Sequence, residues 1–166
     1  MIRDFIQGRA WKFGSNVSTD SIAPGRLISL RANPAEYAKH VLEDARPDFV
    51  KGVKADDFIV ADRNFGCGSS REIAPLIIKL SGVGAVLSKS FGRIFYRNAI
   101  NIGLPIIECP EAAKGIDDGD EVEVDFDSGI ITNVTKGTTF KGQAFPEFMQ
   151  KIIAAEGLIN YINSSR

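Results

Sequence analysis

The sequence predicts an α/β domain built on a mixed sheet whose core strands run parallel. Three observations predict it. From Asp57 to Glu108, short apolar runs alternate with helical patterns, which implies right-handed crossovers between parallel strands. From Asp120 to Lys141, short strands are separated by Asp/Gly turns, the pattern of an antiparallel meander. The chain has 166 residues, which suits a single domain spanning residues 1–166 with a real core.

The elements follow in order. Ile2 to Phe13 alternates loosely, carries Phe5, Ile6, Trp11 and Phe13, and reads as a strand bent at Gly8. Residues 14–26 are rich in turn formers and read as a loop. Asp20 is the polar residue of interest there, although its ordinary role would be an Asx-turn or a cap. Leu27-Ile28-Ser29-Leu30 is a short apolar stretch between Arg26 and Arg31. Asn33 is a natural N-cap and Pro34 a natural first residue for a helix running to about Glu43. Its apolar face would be Tyr37, Ala38, Val41 and Leu42, with His40 an ordinary surface or half-buried histidine. Residues 46–56 read as a polar connection.

Strand Asp57–Ala61 comes next, then a glycine-rich stretch and a helix from Ser70 to Leu80, ended by Ser81-Gly82. Val83–Ser88 reads as a strand, Phe91–Ile102 as a helix stopped by Gly103, and Leu104–Glu108 as a strand. Arg93 and Arg97 lie one turn apart on one helix face. They read either as a solvated face or as a basic wall beside an anion site. Residues 120–126, 130–135 and 138–141 form the meander, and helices over 146–155 and 157–162 close the chain.

Composition excludes several function classes. Net charge is −1, so no basic field draws the chain to nucleic acid or to an anionic membrane. No apolar run is long enough to span a bilayer. Met1-Ile2-Arg3-Asp4-Phe5 carries a charge pair where a signal peptide needs an apolar run, so a cytoplasmic location is expected. Cys67, Cys109 and the single His40 are too few for an iron–sulfur cluster and lack zinc spacing, so no metal is expected on this chain. Cluster or metal chemistry would have to come from another chain.

The stretch that carries chemistry is Asp62-Arg63-Asn64-Phe65-Gly66-Cys67-Gly68-Ser69-Ser70-Arg71-Glu72. Its glycines permit tight turning and close approach of a ligand. Backbone N–H groups at the following helix would favour an anion. Arg71 adds a planar fork suited to a carboxylate. A serine held there would lose its proton more readily than in water. Spacing alone favours a plainer outcome, in which Ser69 or Ser70 simply caps the helix. The glycines make neither a dinucleotide fingerprint nor a phosphate loop.

Three motifs together resemble one family. Asn64 to Glu72 looks like the hallmark of the small subunits of isopropylmalate isomerase, in the aconitase superfamily. Ser90-Phe91-Gly92-Arg93-Ile94-Phe95-Tyr96-Arg97-Asn98-Ala99-Ile100-Asn101, followed by Gly103-Leu104-Pro105, matches its second hallmark. Thr19 to Arg26 resembles its early Asp- and Pro-containing loop. The resemblance implies a swivelling β/β/α domain like the last domain of single-chain aconitase. It implies a hydro-lyase that dehydrates and rehydrates a small hydroxy-diacid in leucine biosynthesis, as a heteromer. The [4Fe–4S] cluster would sit on a large-subunit partner, with none bound by this chain.

The resemblance also assigns residues. Ser69 matches the catalytic base, and Asp20 an active-site aspartate. Arg71 matches the substrate carboxylate clamp, with Ser70 and Gly68 beside it and Arg31 near a second substrate arginine. Leu27-Ile28-Ser29-Leu30 lies where archaeal-type subunits read the substrate's side group. The absence of an arginine within that tetrad favours an apolar substituent, as in isopropylmalate, over homoaconitate, with methylated malates as the alternative. Ile73 stands where the family hallmark usually has histidine. A non-catalytic anion-binding module is the remote alternative from another functional class.

Overall fold

The computed structural model describes residues 5–143 and 145–164. The start of the first expected strand, Ile2–Asp4, lies outside them. Seven strands form one sheet in the order β4-β3-β2-β1-β5-β6-β7. β1 (Phe5–Phe13), β2 (Phe58–Ala61), β3 (Ala85–Ser88) and β4 (Ile106–Glu108) run parallel, joined by helical crossovers. β5 (Glu121–Asp125), β6 (Ile130–Asn133) and β7 (Thr138–Lys141) form the antiparallel meander. β2 and β3 are buried at every residue, which is why they read as continuous apolar runs and not as alternating ones.

β1 belongs to both halves of the sheet. Ala10–Phe13 pair in parallel with β2, and Phe5–Arg9 pair antiparallel with β5. The change of partner falls beside Gly8, where a Cβ would lie 2.1 Å from the Asp56 carbonyl oxygen. Only glycine lets the two backbones approach so closely. Asp57 fastens the junction: its buried carboxylate accepts hydrogen bonds from Trp11 Nε1 at 2.9 Å, the Lys54 amide at 2.9 Å and the Arg9 amide at 3.1 Å. A buried charge is tolerable there because its oxygens are satisfied.

Eight α-helices accompany the strands among the described residues: α1 (Thr19–Ile22), α2 (Pro34–Ala38), α3 (Phe49–Gly52), α4 (Ile73–Leu80), α5 (Arg93–Asn101), α6 (Pro110–Gly115), α7 (Glu147–Ala154) and α8 (Leu158–Ser164). α2 packs on α4, and α5 packs on α4 and α7. The Asn33 side chain caps α2 as expected, accepting from the Glu36 amide. The helix stops at Ala38, short of Glu43, because the chain turns there and Leu42 takes a positive φ of 57°.

Two stretches differ from the expectation. Residues 46–56 are no mere polar connection. Phe49 opens α3, is fully buried, and meets the rings of Trp11 at 5.3 Å and Phe13 at 5.6 Å edge-on. One aromatic anchor among polar residues is enough to dock such a segment. α6 also escaped the sequence reading, since six residues are too few to show a helical period. No described helix is long and apolar enough to cross a membrane.

Candidate active site

The glycine-rich stretch leaves β2 at Ala61 and continues between two neighbouring segments. On one side, the Gly66 amide donates to the Val17 carbonyl at 2.7 Å, and the Thr19 amide donates to the Cys67 carbonyl at 2.8 Å. On the other, the Phe65 amide donates to the Ser90 carbonyl at 3.1 Å, and the Gly92 amide to the Phe65 carbonyl at 2.9 Å. The loop is therefore held like a further strand, although it carries Gly66 at φ 81° and Gly68 at φ 95°. At Gly66 a Cβ would sit 2.2 Å from the Phe95 ring.

Gly66→Ala is expected to cost about 3 kcal/mol from overpacking and the left-handed backbone together. For a chain of this size that lowers Tm by about 6–12 °C. Thermal unfolding followed by circular dichroism checks it; an unchanged Tm would mean that Phe95 moves aside freely.

The loop then presents its polar residues. Ser69 and Ser70 are exposed, and the Thr19 hydroxyl donates to the Ser69 carbonyl at 2.8 Å, fixing the backbone at that point. Neither serine caps a helix. α4 begins at Ile73, not Ser70, and its N-cap is Glu72 without a side-chain bond. The first turn is poor in free donors, because Pro75 has no N–H and the Ala74 amide already donates to the Arg71 carbonyl at 3.2 Å. The positive charge on offer at this loop is therefore Arg71 more than the helix end.

Arg71 and Asp20 meet. Arg71 Nη2 lies 2.9 Å from Asp20 Oδ1, with the arginine side chain 25% and the aspartate side chain 63% exposed. Arg71 Nη1 also donates to the Ala23 carbonyl at 3.3 Å. Asp20 is neither an Asx-turn nor a cap, since Ser18 caps α1 by accepting from the Ser21 amide. Gly25 makes room for the carboxylate: a Cβ there would lie 2.4 Å from Asp20 Oδ1.

Tyr37 supports this pair, a role the sequence reading missed by treating it as one apolar position of a helix. It is fully buried, and its hydroxyl donates to the Pro24 carbonyl at 2.8 Å. Burial pushes its phenol pKa up, and the nearby Arg71 charge opposes that rise. A tyrosine among aliphatic positions was the available signal, because a buried hydroxyl demands a partner.

The expected specificity tetrad lies in a 3-10 helix, Gly25–Ala32, broken by the non-helical backbone of Leu27. Leu27 and Leu30 pack against the core, whereas Ile28 is 39% exposed and Ser29 is exposed. Arg26 ties the segment to Glu43 and Asp44. Arg31 is exposed and contacts neither Asp20 nor Arg71 among the described residues. The structure thus gathers Gly68, Ser69, Ser70, Arg71 and Asp20, while Arg31 makes no hydrogen bond or ion pair to them among the described residues.

Ile73 packs against the core where a polar residue was the family expectation. Among the described residues, no group of three or more His, Cys, Asp or Glu side chains could hold a metal ion. Cys67 is half-buried on the loop, and Cys109 is buried elsewhere, at the start of α6. His40 pairs with Glu43 at 2.9 Å. These residues do not fit an iron–sulfur cluster.

Comparison with known proteins gives this geometry a family. Residues 29–112 match the aconitase C-terminal domain, a span that includes Ser69 and Arg71 but not Asp20. The chain is 62% identical over 159 residues to the 2,3-dimethylmalate dehydratase small subunit of Eubacterium barkeri, covering 96% of this chain and 97% of that one. It is also 62% identical over 156 residues to the 3-isopropylmalate dehydratase small subunit of Lachnoclostridium phytofermentans, covering 94% of each. The crystal structure of 3-isopropylmalate dehydratase from Methanocaldococcus jannaschii superposes with a TM-score of 0.91 at 46% identity, covering 97% of this chain and 95% of that one. With a braced glycine loop, a serine pair and an arginine on this sheet, the chain belongs to the aconitase C-terminal domain family, among its dehydratase small subunits.

Proposed function

We propose that this chain is the small subunit of a 3-isopropylmalate dehydratase. It would act as one swivelling domain over residues 1–166 and interconvert 2-isopropylmalate and 3-isopropylmalate with a large subunit. The observation that carries the reading is the Arg71–Asp20 pair set beside the exposed Ser69 on a loop braced from both sides. The relatives are small subunits, so in this reading the active site would be completed by a large-subunit chain.

Each residue has a task in the proposed reaction. Ser69 removes a proton from one carbon beside a carboxylate as the hydroxyl leaves its neighbour, and on rehydration it delivers a proton to the carbon that had carried the hydroxyl, while the hydroxyl of water adds to the carbon first deprotonated. Arg71 binds that carboxylate through the part of its five-donor fork that Asp20 and Ala23 do not occupy. Its positive charge also favours the serine alkoxide. Asp20 orients the guanidinium, Tyr37 and Gly25 shape the turn that holds Asp20, and Gly68 and Ser70 line the approach to the base. A [4Fe–4S] cluster on the large subunit would supply Lewis-acid chemistry toward the departing hydroxyl.

The substrate's side group would meet Ile28, the aliphatic member of the tetrad that points away from the core. Arg31 stands at the end of the same segment as the candidate second carboxylate contact. A 2,3-dimethylmalate substrate is the second reading, favoured by the identity to the Eubacterium barkeri subunit. Both side groups are small and apolar, which Ile28 accommodates.

The test is an anaerobic assay of the reconstituted heteromer with 3-isopropylmalate, 2,3-dimethylmalate and homoaconitate. Turnover restricted to 3-isopropylmalate supports the first reading, and preference for 2,3-dimethylmalate replaces it with the second. Activity on homoaconitate alone overturns both. Ile28→Arg is expected to lower kcat/KM for the apolar substrate by about 10–200-fold, the range that one misplaced group in a hydrophobic pocket produces. Unchanged kcat/KM would remove Ile28 from the specificity surface.

A further inference from the structure

We infer that the cavity between α5 and the segment before and within α7 is the socket in which the large subunit docks. Its occupant brings an acidic side chain beside an apolar one. The inference rests on the proposed function, because it takes the large subunit as the partner.

The cavity encloses about 630 Å³. Phe91, Ile106, Phe145 and Met149 give it an apolar floor, and Arg93 and Arg97 border it. The two arginines are exposed on one face of α5, one turn apart, and neither forms an ion pair among the described residues. Glu108 lines the same cavity and does not pair with them. Like charges one turn apart repel. The free chain therefore carries an uncompensated positive pair over a surface that would gain from losing water.

Arginine and aromatic side chains around such a floor have the composition of an interface hot spot. The surrounding surface agrees. Ile94 on α5 is 49% exposed and Phe148 on α7 is 59% exposed, so large apolar side chains continue beyond the cavity on the same two helices. An apolar patch rimmed by charge marks a contact with another macromolecule.

Placement selects the partner. The cavity borders β4 and the start of α5, which follows the C-terminal end of β3, the same sheet end from which the Ser69 loop leaves β2. The Phe91 ring lies 6.3 Å from the Phe65 ring, and the Gly92 amide bonds to the Phe65 carbonyl, so cavity and loop share a wall. If Ser69 works on a substrate held by another chain's cluster, that chain must cover this end of the sheet. The unpaired arginines lie next to the surface it covers.

The test measures assembly of the full-length small subunit with its large subunit by sedimentation velocity, under anaerobic conditions. Arg93→Glu and Arg97→Glu are each expected to raise Kd by about tenfold or more, and the double variant by about a hundredfold, with weaker salt dependence than wild type. Lys39→Glu, a reversal on α2, is the control for net charge and should leave Kd unchanged. Circular dichroism melting verifies that the variants fold, and Arg93→Gln with Arg97→Gln provides a milder pair. Wild-type Kd in the double reversal overturns the socket and leaves the proposed function standing. So does calorimetric binding of a free branched carboxylate, such as isovalerate, in the cavity of a chain that assembles normally after reversal. Failure of the wild-type chain to assemble with any such large subunit overturns the proposed function itself.

Discussion

Ser69→Ala is expected to lower kcat of the assembled dehydratase by about 10²–10⁴-fold, the usual contribution of a positioned acid–base group. Assembly and folding should be unaffected, because the serine side chain is exposed and the structural bond at this residue runs from Thr19 to its backbone carbonyl. KM should change little if, as proposed, the hydroxyl acts on the carbon-bound proton and not on the carboxylate. Steady-state kinetics of the reconstituted complex, with a parallel Kd measurement, separates these effects. Full turnover in Ser69→Ala would assign the proton transfer to another group, and Ser70 would be the next residue to replace. A variant that fails to assemble would instead place Ser69 in the subunit contact.

Arg71→Lys is expected to raise KM and lower kcat, with kcat/KM falling by about a hundredfold. That corresponds to about 2.7 kcal/mol of lost transition-state binding. Lysine retains the positive charge but not the planar fork. In the structure, each η nitrogen already spends a bond, Nη2 on Asp20 Oδ1 at 2.9 Å and Nη1 on the Ala23 carbonyl at 3.3 Å, with the remaining N–H groups of the fork left for substrate. An ammonium has one nitrogen for both tasks and cannot face aspartate and substrate in the same geometry. Asp20→Asn should cause a smaller loss of the same kind, because the amide still accepts one hydrogen bond from the guanidinium. Equal kinetics for Arg71→Lys and wild type would show that the site needs charge alone.

The parallel half of the sheet was legible in the sequence because its physics is local. Phe58–Ala61 and Ala85–Ser88 are buried on both faces, so each appears as an unbroken apolar run. Asp127-Ser128-Gly129 is likewise a turn by its own chemistry, and the hairpin of β5 and β6 follows from it.

The candidate residues of the glycine-rich loop stand out in the sequence, but the shape of the loop does not. Capping preferences placed Ser69 or Ser70 at the start of a helix. Tertiary bonds from Thr19, Val17, Ser90 and Gly92 overrode that preference and kept the chain extended through the loop. The partnership of Asp20 with Arg71 spans 51 positions, and no local pattern encodes it. Phe49 and Tyr37 were misjudged for a shared reason: a single large side chain leaves no period, and its burial depends on what the rest of the chain brings to it.

The shared strand β1 has a consequence for how the chain is made. Synthesis delivers β1 to β4 by Glu108, and these can collapse into a parallel core while the ribosome is still working. The other edge of β1, Phe5–Arg9, must wait for β5 at Glu121–Asp125. Until then its amides and carbonyls are bare beside an exposed Phe5, an invitation to pair with another nascent chain. Translation that stalls between Glu108 and Glu121 would leave the most adhesive form of this protein, and release from that pause would remove it by supplying the missing neighbour.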